Sequence, residues 1–160
     1  WNKLCNEYQF TIPHKLSNGG ETRFLSVNNA LPFAGDKGLI AVHDGVRPLI
    51  SSKLIEKSFV EAAKYGNAVP AIAINDSVRI FDDGKYKIVN RDHVKVIQTP
   101  QCFKASTLKN AYKQKFNESF TDDASVVEAF GEEIHLIDGE LPNIKITNDV
   151  DLKTAESILD

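Results

Sequence analysis

The sequence predicts an α/β fold with a mostly parallel sheet, and three observations predict it. Leu39-Ile40-Ala41-Val42 is a short apolar run between Gly38 and the polar turn His43-Asp44-Gly45-Val46-Arg47-Pro48, the pattern of a buried parallel strand. Lys53 to about Tyr65 carries an apolar face of Leu54, Ile55, Phe59, Ala62 and Ala63. It starts at a serine cap, Ser51 or Ser52, and stops at Gly66, as a helix does. Ala68 to Ile74 is a second apolar run. Strand, helix, strand in that order is the signature of a right-handed parallel crossover.

The elements on either side follow in order. Trp1 to Tyr8 reads as a helix end, with Trp1, Leu4 and Cys5 at helical spacing, and Phe10 to Pro13 as a short extended segment. Gly19-Gly20 precede a helical pattern of Phe24, Val27 and Leu31. Such a turn opens unpaired N–H groups toward an anion or a base edge, or is an ordinary loop. Ser77 to Phe81, the turn Asp82-Asp83-Gly84-Lys85 and Tyr86 to Val89 read as a β-hairpin. Its apolar content suits packing on a partner subunit or on its own domain. His93 to Gln101 alternates like a strand, Lys104 to about Lys115 reads as a helix capped by Ser106, and Thr121 to Phe130 as another with acids in its first turn. Strands are expected at Ile134–Ile137 and Asn143–Thr147, and a last helix after Asn148, with Asp151 completing a capping box. Lys145, flanked by Ile144 and Ile146, falls on the face opposite both, toward solvent or a cleft.

Composition bounds the function. The chain has 160 residues, one domain by length, with 42% hydrophobic and 26% charged residues. A net charge of −3 gives no electrostatic case for nucleic acid or a membrane surface. No apolar run approaches the roughly 20 residues that span a bilayer, and no signal peptide is visible. Cys5 and Cys102 lack metal spacing, and isolated thiols suit a cytoplasmic protein, with a single disulfide as the alternative. The chain contains no Met, so the expectation is that it starts inside a longer gene product.

Ligands of open α/β sheets sit beyond the carboxyl ends of the strands. Asp44 and Arg47 follow such an end, an acid able to hold a cation or hydroxyl beside a base able to hold a phosphate. The same two residues also suit an incidental ion pair in a strand-to-helix turn.

Six segments occur in order: Gly19-Gly20-Glu21-Thr22-Arg23, His43-Asp44-Gly45-Val46-Arg47-Pro48, Asp76-Ser77, Gln98-Thr99-Pro100-Gln101, Phe120-Thr121-Asp122-Asp123-Ala124-Ser125 and Asn143-Ile144-Lys145-Ile146-Thr147. Together they resemble the 2-C-methyl-D-erythritol 4-phosphate cytidylyltransferases of the non-mevalonate isoprenoid pathway, from about Asn18 to the last residue. The resemblance implies a Rossmann-like nucleotidyltransferase fold in a single domain over 1–160. It also implies a protruding β-arm at about 75–98 that reaches across a homodimer. The implied reaction joins a sugar-alcohol phosphate to CTP and releases pyrophosphate, with Mg²⁺ bridging the nucleotide phosphates.

It further implies roles for individual residues. Gly20, Glu21 and Ser26 correspond to contacts with cytosine and ribose; relatives often have Asp where Glu21 stands. Asp44, Arg47 and Lys145 correspond to the catalytic centre. Ser77, Arg91, Thr99 and Thr121 correspond to the substrate pocket, Arg91 acting from the neighbouring subunit's arm. Arg91 and Lys145 would hold the attacking phosphate. The family's glycine-rich phosphate loop, with its arginine and lysine, would precede Trp1, together with the first strand and helix. The expectation is that this chain alone neither holds CTP well nor catalyses. A ribitol 5-phosphate cytidylyltransferase shares several of the segments, and a non-catalytic module of the same fold is the alternative of a different class.

Overall fold

The computed structural model describes residues 1–159. Its elements are α1 (Asn2–Glu7), α2 (Arg23–Ala30), β1 (Leu39–Val42), α3 (Ser52–Tyr65), β2 (Asn67–Ala73), β3 (Val78–Asp82), β4 (Lys85–Val89), β5 (Lys95–Ile97), β6 (Gln101–Lys104), α4 (Ala105–Ala111), α5 (Asp123–Ala129), β7 (Leu136–Asp138) and α6 (Asp149–Leu159). Short 3₁₀ turns follow α2 at Leu31–Phe33 and precede β5 at Arg91–His93.

The fold is α/β, as expected, but most of the sheet's ladders are antiparallel. Only β2 and β7 pair in parallel; β1 with β6, β2 with β6 and β2 with β5 all pair antiparallel. The registers show why. β5 and β6 lie in line along one edge of β2, so they are one strand broken at Gln98–Pro100 and inserted between β1 and β2. Strands β1, β2 and β7 therefore still run the same way, and the βαβ crossover through α3 is real. β1 was expected to be buried, yet all four of its residues are half-buried, because among the described residues its outer edge is unpaired.

Alternation of side chains across the sheet builds two cores. Val69 and Phe103 point to one face, where Phe24, Leu108, Tyr112, Val126 and Val127 pack from α2, α4 and α5. Ala68 and Cys102 point to the other, under Leu54 and Ala62 of α3. All of these except Phe24, at 5%, are no more than 3% exposed, so the order of layers is fixed by burial of roughly 1.5–3 kcal/mol per large apolar side chain.

Local signals placed most helices. Ser51 accepts the N–H of Leu54 at 3.0 Å and caps α3. Asp122 and Ser125 form a reciprocal capping box on α5. Asn148 accepts from Asp151 N–H while Asp151 accepts from Asn148 N–H, the expected capping box of α6. Four expectations differ. α4 is shorter and begins at Ala105 without a side-chain cap, because β6 runs straight into it and leaves Ser106 inside the first turn. Phe10 to Pro13 joins no ladder. The arm is narrower than 75–98: the hairpin is β3 and β4, while Lys95–Ile97 belongs to the main sheet.

The fourth difference bears on the site. Asn143 to Thr147 is extended but joins no sheet; instead Ile146 N–H donates to Val46 O at 2.8 Å. The segment pairs with the turn after β1, not with a strand. Its approach is set by buried Gln98, which donates to the carbonyls of Glu140 and Asn143 and accepts from Glu140 N–H. A Cβ on Gly139 would stand 2.4 Å from Oε1 of buried Gln98, so glycine lets the two segments come this close.

Candidate active site

At the carboxyl end of β1 the chain turns, and the turn is locked from behind. Thr99 Oγ1 accepts Asp44 N–H at 3.0 Å and lies 2.9 Å from His43 Nδ1. His43 Nε2 lies 3.0 Å from the carbonyl of Arg47. Arg47 is buried, and its guanidinium donates to Asn143 O at 2.8 Å and to Ile97 O at 3.4 Å. Asn143 in turn donates to Thr99 O at 2.9 Å. The turn after β1, the break between β5 and β6 and the segment before α6 thus meet at one point.

What they enclose is a polar cleft of about 250 Å³ lined by Arg23, Asp44, Arg47, Thr99, Gln101, Thr121, Asp122 and Lys145, with Ile97. Asp44 stands among three cations: Lys145 Nζ at 3.3 Å, Arg47 Nε at 3.4 Å and Arg23 Nε at 3.7 Å. Burial pushes the Asp44 carboxyl up, but Lys145, Arg23 and Arg47 outweigh it and hold it below the usual carboxylate range. Asp44 is therefore an anion at neutral pH. Arg47 Nε donates to Asp44 Oδ2, but all three separations exceed the 2.7–2.9 Å of a tight charged hydrogen bond, so Asp44 holds none of the cations tightly.

The segments around the cleft supply its walls. Gly20 N–H donates to Ser26 Oγ at 2.9 Å, folding the Gly19-Gly20 loop against α2. A Cβ on Gly20 would lie 2.4 Å from Leu25 Cβ, which is why the loop needs glycine there. Glu21 is exposed beside it. Three residues beyond Gly20, Arg23 reaches both Asp44 and Asp123, so the loop is tied to the cleft wall. Gln101 bridges to the start of α5, donating to Asp122 Oδ2 at 2.7 Å and accepting Ala124 N–H at 2.8 Å.

Of the residues expected in the site, the fold brings together Asp44, Arg47, Lys145, Thr99 and Thr121. Gly20 sits on the adjoining loop and Ser26 on α2, joined by the Gly20 N–H. Ser77 and Arg91 are elsewhere. They line a separate hollow of about 310 Å³ at the base of the hairpin, where Arg91 donates to Asn75 O. Sequence reasoning gave no site role to Arg23, Gln101, Asp122 or His43, and read Asp122 as an acid of the first helical turn. All four lie within the segments quoted for the resemblance, so the signal was present, but the pairings that bring them to the site span 21 to 100 residues and have no local pattern.

A mostly helix-covered mixed sheet with a cationic cleft at its strand ends, beside a glycine loop, defines an α/β nucleotide- or phosphate-handling protein. Comparison makes the assignment specific. The family model for 2-C-methyl-D-erythritol 4-phosphate cytidylyltransferase (IspD) matches residues 5–160. A protein of that name from Bacteroides fragilis is 45% identical over 159 residues, covering 99% of this chain and 73% of its own length. One from Porphyromonas gingivalis is 43% identical, covering 99% and 72%. The crystal structure of 4-diphosphocytidyl-2C-methyl-D-erythritol synthase from Anaerococcus prevotii superposes with a TM-score of 0.86 at 30% identity, covering 99% of this chain and 76% of that one. The Thermus thermophilus cytidylyltransferase gives 0.78 at 31%, covering 93% and 77%. The chain belongs to the 2-C-methyl-D-erythritol 4-phosphate cytidylyltransferase family.

Proposed function

We propose that the protein transfers a cytidylyl group from CTP to 2-C-methyl-D-erythritol 4-phosphate, releasing pyrophosphate, in isoprenoid precursor synthesis. The observation that carries this reading is the ring of Arg23, Arg47 and Lys145 around Asp44, in a cleft shared with Thr99 and Thr121, in a chain of this family. In the reaction a phosphate oxygen of the alcohol attacks the α-phosphorus of CTP in line. The new P–O bond forms as the bond to the β-phosphate breaks, and both electrons leave with pyrophosphate. No proton has to be removed, because a phosphate monoester is already ionised near neutral pH.

Catalysis is then positioning and stabilisation of charge. Lys145, with its side chain 47% exposed at the cleft, holds the attacking phosphate. Arg91 joins it from the hairpin of a second copy, with Ser77 beside it. This explains why the fold leaves those two residues outside the cleft of their own chain. Thr99 and Thr121 contact the alcohol, and Gly20, Glu21 and Ser26 the cytidine. Arg47, whose donors go to Asp44, Asn143 and Ile97, positions Asp44 and the Lys145 segment.

The donor set fits a Mg²⁺ ion carried mainly by the nucleotide. The described residues hold no group of three or more metal-ligating side chains. Asp122 spends its two oxygens on Ser125 N–H and Gln101, which leaves Asp44 as the cleft's available carboxylate. When bound, the ion would neutralise charge on the phosphates.

We further read the chain as a single domain carrying the arm, homodimeric and cytoplasmic. No described helix is long and apolar enough to cross a membrane. Pyrophosphate release from CTP by the full-length protein, given methylerythritol 4-phosphate or ribitol 5-phosphate, tests the function. Release with methylerythritol phosphate alone is expected. Release with ribitol phosphate alone would overturn the substrate, and no release with either would overturn the activity.

A further inference from the structure

Arg23 has one tight partner, and that partner is buried. Its Nη2 donates to Asp123 Oδ2, and Asp123 is fully buried. The other oxygen, Asp123 Oδ1, accepts the Tyr112 hydroxyl at 2.6 Å. Tyr112 is itself 3% exposed and stacks on Phe24, the neighbour of Arg23, with ring centroids 4.7 Å apart. The first residues of α2, the end of α4 and the start of α5 are thereby clamped together behind the guanidinium.

The other side of that guanidinium faces the cleft. Nε is 3.7 Å from Asp44, an ion pair without a hydrogen bond, and Nη1 has no partner among the described residues. The side chain is 31% exposed. A pairing that served only to neutralise Asp123 would have no reason to leave most of the fork's donors toward the cleft. A guanidinium fixed at one corner, with its remaining N–H groups directed at an open polar space, suits a phosphate, which matches the fork's geometry.

We propose that Arg23 contacts a phosphate oxygen in the cleft and that buried Asp123 and Tyr112 aim it. The proposal rests on the phosphoryl-transfer reading of this cleft. Burial and the neighbouring Asp123 raise the Tyr112 phenol far above its ordinary range, so it remains a donor throughout the working pH. Asp44 is the counter-ion of the resting cleft. An arriving phosphate takes over Arg23 and Lys145 from it, and the loose distances to Asp44 keep that exchange easy. The phosphate is that of the nucleotide or that of the alcohol.

Removing Arg23 alone leaves Asp123 buried without its cation, a cost that can by itself prevent folding. The test is therefore the paired variant Arg23→Met/Asp123→Asn, with Tyr112→Phe beside it, each in the full-length protein. Thermal melting of the paired variant is expected to stay close to the parent, since both charges go together. Its kcat/KM is expected to fall about 10- to 100-fold, the worth of a hydrogen bond to an ionised group. A rise confined to KM for CTP assigns the contact to the nucleotide, and a rise confined to KM for the alcohol phosphate assigns it to the other substrate. Tyr112→Phe is expected to lose a smaller factor, about threefold, with its stacking kept. Binding of inorganic pyrophosphate, followed by calorimetry, is expected to weaken in the paired variant whichever alcohol the enzyme uses. If the parent turns over only ribitol phosphate, the substrate reading fails while Arg23 is still tested with that alcohol. A folded paired variant with kcat/KM and pyrophosphate affinity both within twofold of the parent would overturn the proposal.

Discussion

Arg47 and Lys145 carry the same charge beside the same carboxylate, and the structure gives them different work. Arg47 is 8% exposed and donates to Asn143 O and Ile97 O, so it is part of the frame. Lys145 forms its ion pair with Asp44, and its side chain is 47% exposed. Arg47→Lys keeps the charge but loses the fork, leaving buried carbonyls without donors. It is expected to cost about 2–3 kcal/mol of stability, with a lower melting temperature and lower activity. Lys145→Gln is expected to leave the melting temperature within a degree or two (about 0.5 kcal/mol at most) and to lower kcat/KM by about two orders of magnitude. Equal effects on melting from the two variants would contradict this division. The sequence showed that both residues were worth naming. It could not separate them, because burial of Arg47 depends on partners 50 and 96 residues away.

At the scale of elements, what could be read was what is decided locally. The apolar face and serine cap of α3, the acids opening α5 and the Asn148 cap of α6 each lie within a few residues of one another, and all three helices form as expected. The breaks were decided elsewhere. Alternation across His93–Gln101 suggested one strand, yet the backbone parts at Gln98–Pro100, where Gln98 turns its amide to Glu140 and Asn143. The Asn143–Thr147 alternation was real, but the partner it finds is the Val46 carbonyl in a loop. Gly139 is where these two departures touch. Gly139→Ala must push Gln98 aside, because the new methyl group would sit 2.4 Å from its Oε1 and 3.2 Å from Ile72. Overpacking of this kind costs about 1–3 kcal/mol. Since Gln98 also positions Asn143, the variant is expected to raise KM for the alcohol phosphate as Lys145 shifts. A chemical melt and steady-state kinetics on the same preparation would show whether stability and KM move together, and stability loss with unchanged KM would uncouple Gln98 from the site.

At the scale of the whole molecule, the hairpin is the feature that one chain does not explain. β3 and β4 form their own two-stranded sheet, with Ile80, Phe81, Tyr86 and Ile88 between 51% and 77% exposed. An isolated hairpin is marginal in water, and exposed apolar residues on one call for a cover. A second copy that covers the arm would also receive Ser77 and Arg91 at its cleft, where Lys145 already stands. Each active site would then be built from two chains, which makes a quantitative prediction. In such a dimer of the full-length protein, Arg91→Ala and Lys145→Met should each abolish activity. Exchanging subunits between the two variants should restore activity to about a quarter of the parent. Half of randomly mixed dimers are hybrids, and in each hybrid one of two sites joins an intact Lys145 to an intact Arg91. If Arg91 acted within its own chain, hybrids would hold no whole site and mixing would restore nothing. Recovery near a quarter, with dimer exchange confirmed by mass, would place the arm of one chain in the site of the other.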